Sequence, residues 1–379
     1  MRPLMSWQFY CINGNSPGRT HSFPGFFPGV CFWMAGVAGA VFLLGINHAG
    51  AVQPDRAAVL FGAFSNAFCR VEDPGMCVRA DQRGGPEDFW KEAEEVEVFC
   101  DGAQSSHPCV APSAVNGLLK NFIARHGTDW TGNAYNDDCM WACIAFLRGA
   151  QVTHQTPYLE VARHNFDRVC ARAWDAGEGG GLFWTTANQS RNACVNGPAG
   201  IAACLLYQAQ GHKADLVLAR KIFAWERSHL FDPATGAVSD ALDHGGHVNH
   251  WASSYNQGTF IGLASLLGQF RDAARAADFT WHTLAVSGLL PDYHSSSNNA
   301  GFNSIFIRWM VQYARAAGCM GQYRGLLEMN ANRAWQVRRL GDNLSWSAWQ
   351  SNTPPTLNLR AWNCVNSLEV VESVIGLEK

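Results

Sequence analysis

The sequence predicts an all-α protein, an (α/α)6 barrel of about twelve helices in two concentric rings. Three observations predict it. Apolar residues recur at helical spacing along most of the chain, no segment alternates convincingly as a strand does, and every second helical segment begins with a polar cluster. The segments run 56–70, 86–99, 113–126, 137–149, 157–174, 192–210, 212–230, 255–270, 271–289, 300–317, 322–337 and 360–376. The third carries Leu118, Leu119, Phe122 and Ile123, and the eighth Ile261, Leu263, Leu266, Leu267 and Phe270. The tenth carries Phe302, Ile305, Phe306, Trp309, Met310 and Tyr313. Helices paired in sequence cannot each bury an apolar face alone, and about twelve of them suit two rings of six. An open solenoid of helix pairs is the alternative.

Ahead of the helices lies an apolar run from Val30 to Ile46, preceded by Arg2, Arg19 and His21 and followed by Ala49-Gly50-Ala51. It reads as an export signal cleaved after Ala51, with an uncleaved membrane anchor or a mis-assigned start codon as alternatives. Residues 52–379 are then one catalytic domain, secreted or periplasmic, with no membrane contact beyond a possible N-terminal anchor. In an oxidising compartment the short loops would let Cys69 pair with Cys77 and Cys100 with Cys109. Cys139 and Cys143, four apart in a helix with no matching second pair, are expected in the core rather than on a metal.

Composition narrows the ligand. The chain of 379 residues is 47% apolar and has a net charge of only −3, with no long basic run, so nucleic acid is excluded as a partner. Polarity comes largely from Asn, Gln, Ser, Thr and His, and 15 Trp and 8 Tyr supply flat faces suited to sugar rings. A neutral, hydroxyl-rich ligand fits.

Asn136-Asp137-Asp138 precedes the apolar helical run Met140, Trp141, Ile144, Phe146 and Leu147. One Asp would suffice to cap a helix. Two adjacent carboxylates repel, and the repulsion holds a proton on the pair where an isolated Asp would be ionised. That provides an acid beside an anion, the division of labour that retaining glycoside hydrolysis requires. Adjacent Cα atoms lie about 3.8 Å apart, and diverging side chains can reach the roughly 5 Å carboxyl separation of retaining enzymes. The other even-numbered segments start with Asn192 and Asn196, with Tyr255-Asn256-Gln257, and with Asn298-Asn299 and Asn303. Parallel inner helices would gather these starts into one cleft at one end of the barrel.

Five ordered segments resemble a known family: Tyr135 to Asp138, Gly179 to Trp184, Arg191 to Pro198, Ser254 to Gly258 and Phe302 to Arg308. Over roughly 56–376 the chain is similar to glycoside hydrolase family 76, the endo-α-1,6-mannanases. The resemblance implies an (α/α)6 barrel that cleaves α-1,6-mannan with retention, with Asp137 as nucleophile and Asp138 as acid/base. It implies mannan or its oligosaccharides as the partner, no cofactor, no metal and a monomer. Tyr135, Asn136, Trp184, Asn192, Asn196, Asp240, Trp251, Tyr255, Asn256 and Gln257 are expected along the sugar, Trp184 and Trp251 as stacking platforms. The chain departs from the pattern at Asn136, where the family often has an aromatic residue or Asp, and at Asn196-Gly197-Pro198, where fungal members carry an Asn-Glu form. The family also includes fungal wall proteins that transfer mannan-linked anchors, so transfer and non-catalytic mannan binding stand as alternatives.

Two further motifs invite other readings. His244, His247 and His250 repeat every three residues and could ligate a metal, but the glycines between them favour a loop over the cleft. Gly179 to Gly181 lacks the Lys-Ser/Thr of a phosphate loop, and is expected to let backbone approach the sugar beside Trp184.

Overall fold

A computed structural model describes residues 54–177, 179–293 and 298–375. The export or anchor segment expected at 1–51 lies outside them. Among the described residues there are twelve α-helices: α1 (Pro54–Phe68), α2 (Phe89–Gln104), α3 (Pro112–His126), α4 (Asn136–Thr153), α5 (Thr156–Ala173), α6 (Ala193–Gln210), α7 (Lys213–His229), α8 (Ser254–Leu266), α9 (Phe270–Phe279), α10 (Phe302–Ala316), α11 (Met320–Gln336) and α12 (Ala361–Ser373). Helix α9 runs on into a π-helical turn, Thr280–Leu284.

The helices form two rings. α2, α4, α6, α8, α10 and α12 pack each on the next, and α12 closes against α2. Each of α3, α5, α7, α9 and α11 lies outside, against the two inner helices that flank it in sequence, and α1 packs on α12. Burial follows this arrangement. Every residue of α12 and every residue of α6 from Ala193 to Leu206 is buried, whereas α5 buries only the stripe Tyr158, Ala162, Asn165, Phe166, Val169, Cys170 and Ala173. A helix covered on all sides needs no polar face, and an outer helix needs one. Small residues let the inner helices approach closely: a Cβ on Gly258 would lie 2.6 Å from the Phe306 Cα. Local signals mark the ends, with Pro112 and Pro157 in the first turns of α3 and α5 and Gly211 in the left-handed region after α6.

The barrel axis is ionic rather than apolar. Arg308 of α10 is buried against Glu94 (2.8 Å) and Asp101 (2.7 Å) of α2, with Glu97 at 3.4 Å and Glu369 of α12 at 3.7 Å. Arg148 of α4 bonds Glu97 at 3.1 Å and also pairs with Asp101. Buried guanidiniums persist only when paired in this way.

Three expectations require correction. Among the described residues there are five short strands: the hairpin β1 (Cys69–Glu72) and β2 (Gly75–Val78), and the antiparallel sheet β3 (Ser190–Asn192), β4 (Ala241–Asp243) and β5 (Val248–Asn249). None exceeds four residues, too short for alternation to register. The ninth helix stops well before 289, because Val286 and Leu289 bridge around Ser287 at φ 52°. The eleven described cysteines are free thiols. The hairpin register sets Cys77 opposite Arg70 and Cys69 opposite Val78, so the two cysteines are one residue out of step and leave opposite faces.

Candidate active site

The inner-ring helices begin at one end of the barrel, and the candidate site is assembled there. Tyr135 occupies the cap position of α4, so Asp137 and Asp138 stand inside its first turn and neither caps it. The turn is anchored from outside. Asn136 donates from its backbone to Trp184 O (2.8 Å) and from Nδ2 to Phe183 O (2.9 Å). Arg172 of α5 donates to Asn136 Oδ1 (2.7 Å), Thr131 O (2.5 Å) and Asn133 O (2.7 Å). The carboxylate pair is thus fixed by hydrogen bonds that do not involve the carboxylates.

The two aspartates face different neighbours. Burial, with the charge of Asp138 adding to it, pushes Asp137 up to about 7, while the side chains of Trp184 and Cys194 pull the other way. Its Oδ1 is buried with no hydrogen-bond partner. Burial also pushes Asp138 up to about 6, against the hydrogen bond from Asn133 Nδ2 to its Oδ2 (3.0 Å) and with a contribution from the charge of Asp88. Two interacting carboxyls in this range titrate as a pair and retain a proton close to neutral pH.

A third carboxylate joins from the sheet. The backbone of Asp240 pairs with Ala193 N (2.8 Å) and Asn249 O (2.9 Å), placing it at the start of α6. Its two oxygens accept from Asn256 and Asn249, each at 3.1 Å, and burial raises its affinity for a proton. Tyr255, whose ring lies 3.8 Å from that of Phe302, is close enough to Asp137, Asp240 and Cys194 for burial and their charges to hold its hydroxyl well above its ordinary value. Asp243 lies away from this group, exposed beside His247. Aromatic faces stand around the carboxylates: Tyr135 is 47%, Trp184 37% and Trp251 41% exposed, with the rings of Tyr135 and Trp184 5.6 Å apart.

Several residues expected along a sugar lie beneath the cleft surface instead. Asn136, Asn196 and Gln257 are fully buried with their amides engaged internally. Asn196 clamps Leu182 N (2.8 Å) and O (3.1 Å), and Gln257 accepts from Val238 N (2.7 Å) and donates to Gly236 O (3.1 Å). Asn192 accepts from Ser190 Oγ (2.7 Å), and Asn256 serves Asp240. Polar residues at a helix start satisfy loops as readily as ligands, and the sequence does not distinguish the two. The glycine run is likewise spent on packing. Gly181 has φ 87°, and a Cβ there would lie 2.5 Å from the Trp225 ring; Gly180 abuts Trp174 in the same way. The histidines diverge: His244 packs on Phe183, His250 meets Ser239 Oγ at 3.2 Å, and His247 is exposed. Among the described residues no group of three His, Cys, Asp or Glu side chains converges as metal ligands would. Arg172, Asn133, Asp88 and Cys194 are the neighbours that sequence reasoning missed. Cys194 lies inside the Arg191 to Pro198 segment but carries no separate signal there; Arg172, Asn133 and Asp88 lie outside the five segments, although Asn133 sits five residues before Asp138.

A closed double ring of helices with paired, proton-sharing carboxylates and exposed aromatic rings at one end defines a carbohydrate-active helical barrel. The chain belongs to glycosyl hydrolase family 76, whose sequence model matches residues 114–376. Among solved structures it is similar to the α-1,6-mannanase GH76A of Salegentibacter sp. HEL1_6, at 27% identity and TM-score 0.75, covering 84% of this chain and 98% of that one. An inactive variant of that mannanase, with two consecutive aspartates changed to asparagine and α-1,6-mannotriose bound, matches at 26% identity and TM-score 0.75 over the same shares. Dfg5 from Chaetomium thermophilum, in complex with glucosamine, shares the fold at 15% identity and TM-score 0.72, covering 85% of this chain and 89% of that one. None of the curated proteins matches the chain.

Proposed function

We propose that this chain is an exported retaining endo-α-1,6-mannanase in which Asp137 and Asp138 carry the chemistry. The observation that carries the reading is the pair itself: two adjacent carboxylates in the first turn of an inner helix, both raised by burial, beside exposed aromatic rings. The similarity to the Salegentibacter mannanase supports it, because that protein's inactive form has two consecutive aspartates replaced and holds α-1,6-mannotriose. In the first step a carboxylate oxygen of Asp137 forms a bond to the anomeric carbon as the bond to the glycosidic oxygen breaks. Asp138 gives its proton to that departing oxygen. In the second step Asp138 takes a proton from water, the resulting hydroxide oxygen attacks the anomeric carbon, and the ester to Asp137 breaks. Asp240, held by two amides, is placed to accept from a sugar hydroxyl, and Trp184 and Trp251 offer stacking faces. The export assignment rests on the N-terminal sequence; among the described residues no helix is long and apolar enough to cross a membrane.

Incubation with linear α-1,6-mannan followed by product sizing and early NMR tests the reading. Mid-chain cuts releasing the α-anomer first are expected. An initial β-anomer, or an intact polymer, contradicts it.

A further inference from the structure

The two aspartates look toward opposite walls, and this gives the cleft a direction. Asp137 lies with Trp184, Cys194 of α6, and Asp240 and Tyr255. Asp138 instead accepts from Asn133 Nδ2 at 3.0 Å and lies on the side of the start of α2, within reach of the charge of Asp88. On the retaining reading proposed above, the sugar that is attacked lies over the nucleophile, and the departing sugar lies beyond the acid. The α6 and α8 wall then holds the attacked mannose, and the α2 wall faces the departing one.

That α2 wall carries a built polar cluster. Asp88 stands at the cap position of α2, yet its side chain makes no capping bond. Its carboxylate instead takes the ammonium of Lys91 at 2.6 Å, and the same ammonium donates to Asn298 Oδ1 at 3.0 Å. The Lys91 side chain is only 2% exposed, while that of Asp88 is 58% exposed. A buried ammonium is costly unless paired, so a residue of this kind in a helix's first turn has a positional purpose rather than a solvating one. Two of its three N–H donors are used, and the ammonium also stands 5.6 Å from the centroid of the Trp90 ring. Behind the cluster, Trp362 Nε1 donates to Asn298 O at 2.7 Å, and the Trp362 ring meets that of Trp90 edge-on at 4.9 Å. The result is an open carboxylate, held rigidly, with an aromatic backing.

We propose that Asp88, Lys91 and Asn298 form the subsite for the departing sugar, with the Asp88 carboxylate accepting from hydroxyls of a neutral pyranose and Lys91 fixing its orientation. The same subsite receives the acceptor in the second step, so it sets how a sugar hydroxyl competes with water. This inference rests on the retaining mannanase reading.

The test compares two substrates that share the attacked mannose but not the departing group: linear α-1,6-mannan and α-mannosyl fluoride. Asp88→Ala should lower kcat/KM on mannan at least tenfold more than on the fluoride. Asn298→Ala, which keeps the Asp88–Lys91 pair, should shift the same ratio in the same direction, mainly through KM. Equal losses on both substrates, or no loss on either, overturn the subsite. If folded wild-type protein turns over neither substrate, the mannanase reading fails and the subsite falls with it; turnover of both with an unchanged ratio in the variants defeats the subsite alone.

Discussion

Asp137 and Asp138 can divide one proton between them because burial raises both, to about 7 and about 6, and because the turn bearing them is held by Asn136 and Arg172 instead of by the carboxylates. The productive free enzyme has a single proton on the pair, and the assigned roles require that proton on Asp138. Burial by itself favours it on the more deeply buried Asp137, so bound substrate has to shift it to Asp138. Below the lower value both carboxyls are protonated and the nucleophile is lost; above the higher value neither is, and the acid is lost. The predicted kcat/KM profile on mannan is therefore a bell with its maximum between about pH 6 and about pH 7. A plateau extending to pH 9 in initial-rate measurements would mean that no shared proton is needed. The pair was legible from sequence because adjacency alone implies repulsion. Arg172 was not, since a lone Arg in the last turn of a helix is an ordinary helix-ending residue until the fold brings the Thr131 to Asn133 turn within its reach.

At the scale of elements, helix periodicity was readable almost throughout, because an outer helix such as α5 buries one stripe and an inner helix such as α6 is apolar enough to be covered all round, while α2 is covered too but buries Lys91, Glu92, Glu94, Glu95 and Glu97. The inner ring was inferred from which starts were polar, and its closure through α12 onto α2 agrees with that. Strands of two to four residues left no pattern to read, yet β3, β4 and β5 are what bring Asp240 to the start of α6. The glycine run could not be interpreted from sequence either, since its reason is a ring of α7 that is distant in the chain. Gly181 meets Trp225 at a φ that L-residues avoid. Gly181→Ala should cost at least ~2 kcal/mol, the sum of a disfavoured backbone and an overpacked contact. Urea unfolding measures this, and an unchanged midpoint would show that the loop relaxes freely.

Across the whole molecule, the same burial that closes the barrel stores protons in it. Burial pushes Glu94 and Glu226 up to about 8 and Glu372 up to about 7, and holds Glu95 and Glu369 well above the ordinary carboxylate range. Asp101 goes the other way: burial opposes its ionisation, but Arg148 and Arg308 together outweigh this and hold it low. A carboxyl whose folded value lies above its unfolded one favours the folded state fully below the unfolded value, and that contribution is lost as pH rises through the folded value. Asp81, Asp129, Asp232, Asp243 and Asp342 are also held low, but lowered carboxyls are already ionised in both states by about pH 5, so the raised groups govern the range above it and stability should fall from about pH 5 to about pH 8. Glu226, with neither oxygen hydrogen-bonded, isolates the effect. Glu226→Gln should raise the thermal midpoint relative to wild type at alkaline pH and change it little at pH 5. Equal shifts at both pH values would assign the effect to packing.

The proposed mechanism requires a covalent intermediate at Asp137, and intact-mass spectrometry of Asp138→Ala tests for it most directly. With an activated aryl α-mannoside the first step needs no acid and the second lacks its base, so the enzyme should gain the mass of one mannosyl group. Peptide mapping should place it on Asp137, and azide should discharge it. The absence of any adduct while the aryl substrate is consumed, or an adduct on another residue, would contradict the assignment.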